Sequence, residues 1–210
     1  MSATVAPTRR REATRQRLLD AAALVFAEVG LDAASVEAIC ERAGFTRGAF
    51  YSNFESKDEL FLELARTVAD ERLVTVRERV AALGRDGGLG EVQSNALEII
   101  QQVLDVSADD RLGVLLTSEI RLKALRTPAL AAAHLAQDRE MLRSVTQIID
   151  DIGRVHNLRL RVSAEDAARL LLTVWEASAV RAVMAGLDDE GVRRVINEEL
   201  AKVAQLVIAG

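Results

Sequence analysis

Apolar residues recur at helical spacing along most of this 210-residue chain. In the first such stretch, from about Glu12 to Val29, the stripe consists of Leu18, Ala22, Val25, Phe26 and Val29. Amphipathic helices bury a stripe of this kind, whereas strands need an alternation that occurs here over no useful length. Because only two prolines interrupt the pattern, it predicts an all-α fold of about nine helices.

Capping residues set the predicted helix boundaries. Ser, Thr or Asp precedes several stripes as an N-cap, and Gly follows some of them as a C-terminal stop. Residues 56–59, Ser-Lys-Asp-Glu, have the pattern of a capping box. We therefore expect helices over about 12–29, 35–43, 47–54, 57–83, 91–106, 110–126, 128–155, 164–184 and 188–208.

The sequence carries no recognisable catalytic arrangement. His134 and His156 are isolated, and no Ser/His/Asp, Cys/His or metal-ligand spacing is found. Residues 84–90, Gly-Arg-Asp-Gly-Gly-Leu-Gly, lack the preceding strand and the following Gly-Lys-Ser/Thr that a phosphate-binding loop requires. We expect this segment to be a loop between helices, and we expect no enzymatic activity, cofactor or metal.

Cysteine content and apolar runs bear on the compartment. Cys40 is the only cysteine, so no intrachain disulfide is possible and a reducing compartment fits best. The basic residues 1–11 are not followed by the apolar region of a secretory signal, and no apolar run is long enough to cross a bilayer. We expect a cytoplasmic protein.

Charge is distributed unevenly along the chain. The net charge is −5, yet residues 1–17 hold five arginines against a single glutamate. A basic end on an acidic body is compatible with DNA binding. A solvated tail explains Arg9, Arg10 and Arg11 equally well, and both interpretations remain open at this stage.

Six of the seven aromatic residues fall between residues 26 and 61. There, a helix (35–43), a glycine-containing turn (44–46) and a second helix (47–54) have the spacing of a helix-turn-helix. On the second helix, Phe50 and Phe54 share one face, which we expect to dock on Phe26, Ile39 and Phe45. The opposite face carries Arg47, Gly48, Tyr51 and Ser52 and is left free to enter a major groove.

The exposed face has chemistry suited to DNA. Arg47 can donate two hydrogen bonds to a guanine edge, and the small Gly48 and Ala49 let the backbone approach the bases. For phosphate contacts we predict Tyr51, Asn53 and Lys57, together with the hydroxyls of the caps Ser35 and Thr46. Ser52 is predicted on the same DNA-facing side. The alternatives are a packing role for Tyr51, a solvated charge at Arg47, and pairing of Lys57 with Glu55 and Glu59.

These residues carry a family resemblance. The stretch SVEAICERAGFTRGAFYSNFESKDELF, residues 35–61, resembles the DNA-binding signature of the tetracycline-repressor (TetR) family of bacterial transcriptional regulators. The similarity covers about Glu12 to Leu64. Asn53 departs from the His or Tyr frequent there, and Cys40 from the usual small residue. Since Cys40 lies on the buried stripe, we interpret it as a core side chain rather than a redox sensor.

The resemblance implies a plan for the whole chain. It implies a basic tail (1–11), a helix-turn-helix domain (12–70) and a helical regulatory and dimerisation domain (71–210). It also implies a regulator that binds operator DNA as a homodimer and responds to a small-molecule effector. The residues do not separate activator from repressor, although the family favours a repressor. A TetR-like ligand-binding or interaction protein without specific DNA binding is the alternative.

Two features of the C-terminal part bear on these implications. Apolar residues of the last two predicted helices would form a four-helix interface, unless they pack within one chain; they are Leu172, Ala179, Ala182, Ala185, Val192, Val195, Ile196, Leu200, Val203 and Val207.

For the effector, Trp175 lies on an apolar stripe and Glu119 and Glu176 are carboxylates in apolar surroundings. These three are candidate ligand residues, with packing of Trp175 and pairing of the carboxylates with an arginine as alternatives.

Overall fold

The computed structural model of the protein describes residues 5–85, 111–155 and 159–208, and these residues form eight α-helices. The helices are α1 (Val5–Val29), α2 (Val36–Ala43), α3 (Arg47–Tyr51), α4 (Lys57–Arg85), α5 (Arg111–Arg126), α6 (Pro128–Val155), α7 (Ala164–Met184) and α8 (Asp189–Val207). The all-α prediction is confirmed. The helix predicted near 91–106, and residues 86–90 of the glycine-rich segment, lie outside the described residues.

Two boundaries differ from the prediction. α1 begins at Val5 rather than near Glu12, so Arg9, Arg10 and Arg11 are helical and not part of an extended tail. α3 ends at Tyr51 rather than Phe54. The Ser52 hydroxyl and the Asn53 amide both donate to the carbonyl of Ala49, each at 2.8 Å. Side chains that bond nearby backbone in this way compete with the helical ladder, which accounts for the early end.

The chain divides into two compact units. The N-terminal unit comprises residues Met1–Val68 and Leu115–Leu130, and the C-terminal unit comprises Ala69–Val114 and Ala131–Gly210. Most of α5 therefore belongs with the first three helices rather than with its neighbours in sequence. The helical periodicity of the sequence does not indicate that α5 belongs to the N-terminal unit, because an amphipathic stripe does not specify the helix against which it packs.

The core of the N-terminal unit is built around phenylalanines. Phe26, Phe50, Phe54 and Phe61 are at most 1% exposed, and Phe26 and Phe61 meet edge to face with 5.5 Å between ring centroids. Aromatic side chains bury a large area each, which a small unit needs. The same cluster includes Leu18, Ile39, Leu60, Leu116, Ile120 and Ala124, with Phe45 partly buried against it. The predicted docking of α3 is thus confirmed.

In the C-terminal unit, α7 packs against α8. Ala179 and Ala182 of α7, and Val192, Ile196 and Leu200 of α8, are all at most 2% exposed within the single chain. These residues were predicted at a dimer interface, and the structure places them in the chain's own core. Among the described helices, none combines the length and apolar composition that crossing a membrane requires.

Candidate nucleic-acid interface

Local sequence signals define both ends of α2. At its N-terminus the Ser35 hydroxyl accepts a hydrogen bond from the Ala38 amide at 3.1 Å. At its C-terminus Gly44 adopts a left-handed conformation with φ 71°, which glycine reaches without strain. The Gly44 amide donates to Glu41 and the Phe45 amide to Cys40, at 3.2 and 2.9 Å. These two hydrogen bonds form a Schellman motif, which turns the chain towards α3.

The third helix is one turn long and has two different faces. The Thr46 hydroxyl caps it by accepting from the Ala49 amide at 3.2 Å. Phe50 is fully buried in the core, whereas Tyr51 is 51% exposed and Arg47 and Gly48 lie at the surface. The buried face fixes the helix, and the outward face remains available to a partner.

Arg47 is held between two neighbours at this surface. Its guanidinium forms an ion pair with Glu37 of α2 at 2.6 Å and lies 5.9 Å from the centroid of the Tyr51 ring. A hydrogen bond with Tyr51 and the negative charge of Glu37 raise the pKa of Arg47 above its usual value. Arginine is a cation at any physiological pH, so the contact with Glu37 joins opposite charges at the surface. Glu37 is not among the residues predicted from the sequence, although its place in the first turn of the second predicted helix follows from the sequence.

Lys57 does not occupy the outward position predicted for it. Its ammonium donates to the carbonyls of Leu31 and Ala34, both at 2.7 Å, and thereby ties the start of α4 to the turn after α1. Two of its three donors are used within the chain. The sequence also suggested pairing with Glu55 and Glu59, but these hydrogen bonds go to backbone carbonyls instead. The structure gives Lys57 a structural role.

Asn53 is also turned inwards. It is only 8% exposed, and its amide nitrogen donates to the Ala49 carbonyl at 2.8 Å and to the Ser52 hydroxyl at 3.3 Å. An amide committed to the end of its own helix is not free for a phosphate. The prediction for Asn53 therefore has to be replaced by a role in ending α3.

Three arginines of α1 contact the ends of the neighbouring helices. Arg17 donates to the carbonyl of Ala43 at 2.8 Å, Arg11 donates to that of Ser52 at 3.2 Å, and Arg15 donates to that of Asn53. Carbonyls at helix C-termini lack helical partners and carry partial negative charge, so cations are favourable there. Part of the positive charge counted in residues 1–17 thus holds α2 and α3 in place.

Arg15 makes the most extensive of these contacts. Its Nε donates to Glu63 of α4 at 2.7 Å, its Nη2 also contacts that carboxylate, and its guanidinium lies 4.2 Å from the centroid of the Phe54 ring. A forked pair of this kind fixes orientation as well as distance. α1, the end of α3 and α4 are therefore joined through a single side chain.

Cys40 lies beneath the turn, on the inner side. It is 4% exposed, and its sulfur is 3.7 Å from the Thr46 carbonyl oxygen. Burial, followed by the charge of Glu37, raises the pKa of the thiol. A protonated, buried thiol agrees with the predicted core role and not with a redox sensor.

The three predicted ligand residues are separated by the division into units. Glu119, on α5, belongs to the N-terminal unit, where its carboxylate accepts from the Leu31 amide at 3.0 Å. The alternative interpretation, that a partner within the chain satisfies this carboxylate, is thus met, but the partner is a backbone amide and not an arginine. Trp175 and Glu176 are half-buried on α7 in the C-terminal unit. No group of three or more metal-ligating side chains occurs within the described ranges.

Comparison with known proteins places the N-terminal unit in a family. Residues 18–64 match the family described as bacterial regulatory proteins, tetR family. The chain is 40% identical over 72 residues to the HTH-type transcriptional repressor Rv1474c of Mycobacterium tuberculosis, covering 34% of this chain and 38% of that protein. It is 39% identical over 85 residues to the HTH-type transcriptional repressor AcnR of Corynebacterium efficiens, covering 40% and 41%. These matches span about two fifths of the relatives' length.

Solved structures extend the likeness in fold to almost the whole chain. A putative TetR-family transcriptional regulator from Mesorhizobium loti superposes with a TM-score of 0.71 at 19% identity, covering 95% of this chain and 99% of that one. A putative transcriptional regulator from Saccharomonospora viridis, solved in complex with choline, gives 0.73 at 14% identity, covering 95% and 100%. At such identities the likeness shows the fold alone.

Two short capped helices, one with its outward face exposed, define a helix-turn-helix protein. Residues 18–64 of this helix-turn-helix region match the tetR family of bacterial regulatory proteins.

Proposed function

We propose that the protein is a sequence-specific DNA-binding transcriptional regulator. The observation that carries the proposal is the opposition of the two faces of α3. Phe50 anchors the helix in the core, while Arg47, Gly48 and Tyr51 face outwards. A short helix fixed on one side and exposed on the other fits the major groove of DNA.

Each outward residue has a role that its chemistry supports. Arg47 reads a guanine through its O6 and N7 acceptors, and Gly48 and Ala49 allow close approach to the base edges. The Tyr51 hydroxyl and those of the caps Ser35 and Thr46 donate to phosphate oxygens and set the register. The single proton of the Ser52 hydroxyl is instead donated to the Ala49 carbonyl. Asn53 and Lys57 support this surface from inside, because their polar groups bind backbone carbonyls.

We further propose a homodimeric repressor that acts in the bacterial cytoplasm and is released from its operator by a small molecule. The names of the curated relatives support repression. One helix of this length reads few bases, so two copies must meet half-sites about 34–36 Å apart. Light scattering is then expected to give twice the chain mass of 22.8 kDa. An effector that lowers operator affinity must itself bind more weakly to the DNA-bound protein.

Fluorescence anisotropy tests the central proposal. Operator fragments are first selected from a random duplex library with the full-length protein. Binding to the selected duplex and to a shuffled duplex of equal composition is then measured at several salt concentrations. We expect a preference for the selected duplex and a negative slope of log affinity against log salt. Equal affinity for both duplexes would favour the alternative of a TetR-like ligand-binding protein without specific DNA binding.

A further inference from the structure

Glu37 is the acidic residue that contacts the outward face of α3. It lies in the first turn of α2, is 56% exposed, and pairs with Arg47, which is 61% exposed. The carboxylate therefore stands on the surface proposed to meet DNA. A negative charge in that place repels phosphates. Its position beside the main base-reading cation therefore calls for a functional explanation.

The pair of Arg47 and Glu37 is weak enough to open. Exposed ion pairs contribute little, because water and salt screen them and both long side chains lose freedom. A bidentate contact between arginine and guanine is stronger, since two parallel hydrogen bonds form in a fixed geometry. Guanine at the correct position can thus replace Glu37 as the partner of Arg47.

Single contacts to other partners are less able to do so. A base edge with only one suitable acceptor offers Arg47 no bidentate geometry. On such DNA the guanidinium keeps Glu37, whose carboxylate is already in place at 2.6 Å. The cation then adds nothing to non-specific affinity, and the pair as a whole is electrically neutral.

We propose that Glu37 is a specificity-determining residue, which holds Arg47 in an intramolecular pair unless the DNA presents a guanine at the matching position. This inference rests on the proposed function, because it concerns how the same surface discriminates between DNA sequences. Glu37 thereby lowers the affinity of the protein for all DNA, and lowers it most for DNA without guanine at the matching position.

The test is the variant Glu37→Gln, with Glu41→Gln as the matched control. Each change removes one negative charge from an exposed position of α2, and the two positions are one turn apart. Glu37→Gln also removes the carboxylate that pairs with Arg47, whereas Glu41→Gln leaves that pair intact. We expect Glu37→Gln to tighten binding to the shuffled duplex more than to the selected one, reducing the affinity ratio about three- to tenfold. The log–log salt slope on the shuffled duplex should steepen by about 1, since Arg47 becomes free to neutralise a phosphate.

The Arg47→Ala background completes the experiment. Without the guanidinium, Glu37→Gln should change both affinities by the same factor and leave their ratio unaltered. If the wild-type protein prefers the selected duplex but Glu37→Gln behaves like Glu41→Gln, the inference is wrong while the proposed function stands. If the wild-type protein shows no preference for any duplex, the proposed function fails and the inference fails with it.

Discussion

Arg47 is the residue whose removal most directly tests base reading. Its side chain is exposed and lies outside the core, so Arg47→Ala is expected to leave the thermal midpoint almost unchanged. Operator affinity should fall roughly ten- to hundredfold, because a bidentate base contact is lost. Selection of random duplexes with the variant should show relaxed preference at one position in each half-site. Uniform weakening on all sequences would instead mean that Arg47 contacts a phosphate.

Lys57 gives a contrasting prediction at the same scale. Its ammonium binds two carbonyls of the turn after α1, so Lys57→Met should lower the free energy of unfolding by about 2 kcal/mol. Methionine retains an unbranched apolar stem, which limits the loss of packing. The measurement is urea unfolding followed by circular dichroism.

Lys123→Met is the control for Lys57. Lys123 forms an ion pair with Asp58 at 3.7 Å in the same unit, and a pair of this kind contributes at most about 1 kcal/mol. A variant Lys57→Met of unchanged stability, with weaker binding to every duplex and a shallower salt slope, would restore the phosphate role predicted from the sequence.

At the scale of the elements, the helix-turn-helix requires glycine at one position, in the turn, and tolerates another residue at a second, within α3. Gly44 has φ 71°, so Gly44→Ala is expected to cost about 1–2 kcal/mol of stability. Gly48 lies within α3, and an added Cβ there would meet nothing nearer than the Thr46 hydroxyl oxygen at 3.7 Å. Gly48→Ala should therefore leave stability unchanged or raise it by up to about 1 kcal/mol.

The DNA affinities of the two alanine variants should follow the opposite order. Gly48→Ala adds a methyl group to the outward face, where close approach to base edges is proposed, and is expected to weaken operator binding despite its stable fold. Gly44→Ala should bind DNA normally at temperatures well below its lowered midpoint. If Gly48→Ala binds the operator as tightly as the wild type, α3 does not approach the bases at that point.

The sequence predicted these elements well where the signals are local. Ser35, Thr46 and Gly44 act within four residues of their partners, so their roles follow from spacing alone. Lys57 and Glu119 contact backbone 26 and 88 residues away. No periodic pattern encodes such partners, which is why Lys57 was predicted to contact DNA and Glu119 an effector, whereas the structure shows both bonded to backbone of the same chain.

At the scale of the whole molecule, the N-terminal unit is completed by a helix from beyond residue 110. Leu116, Ile120 and Ala124 of α5 lie in the same core cluster as Phe26 and Phe50. Ile120→Ala is expected to destabilise this unit by about 2–5 kcal/mol, because a buried side chain leaves a cavity. Leu125, on the same helix, is 78% exposed, and Leu125→Ala should change stability by less than about 0.5 kcal/mol.

Cys40 offers a reporter for that unit, since it is buried there and is the only cysteine in the chain. Opening of the unit exposes its thiol, so the labelling rate with iodoacetamide follows local unfolding. Ile120→Ala should accelerate labelling by one or more orders of magnitude, whereas Leu125→Ala should match the wild type. Equal rates in both variants would show that α5 does not stabilise the helix-turn-helix.

The two faces of α3 also bear on how such proteins diversify. Phe50 anchors the helix, and positions 47 and 48 lie at the surface, outside the core. Mutations at those positions therefore have little effect on folding, whereas under the proposed function they would change which DNA is read. A duplicated copy of the gene can drift to a new operator through soluble, folded intermediates, because changes in what it reads carry little risk of misfolding.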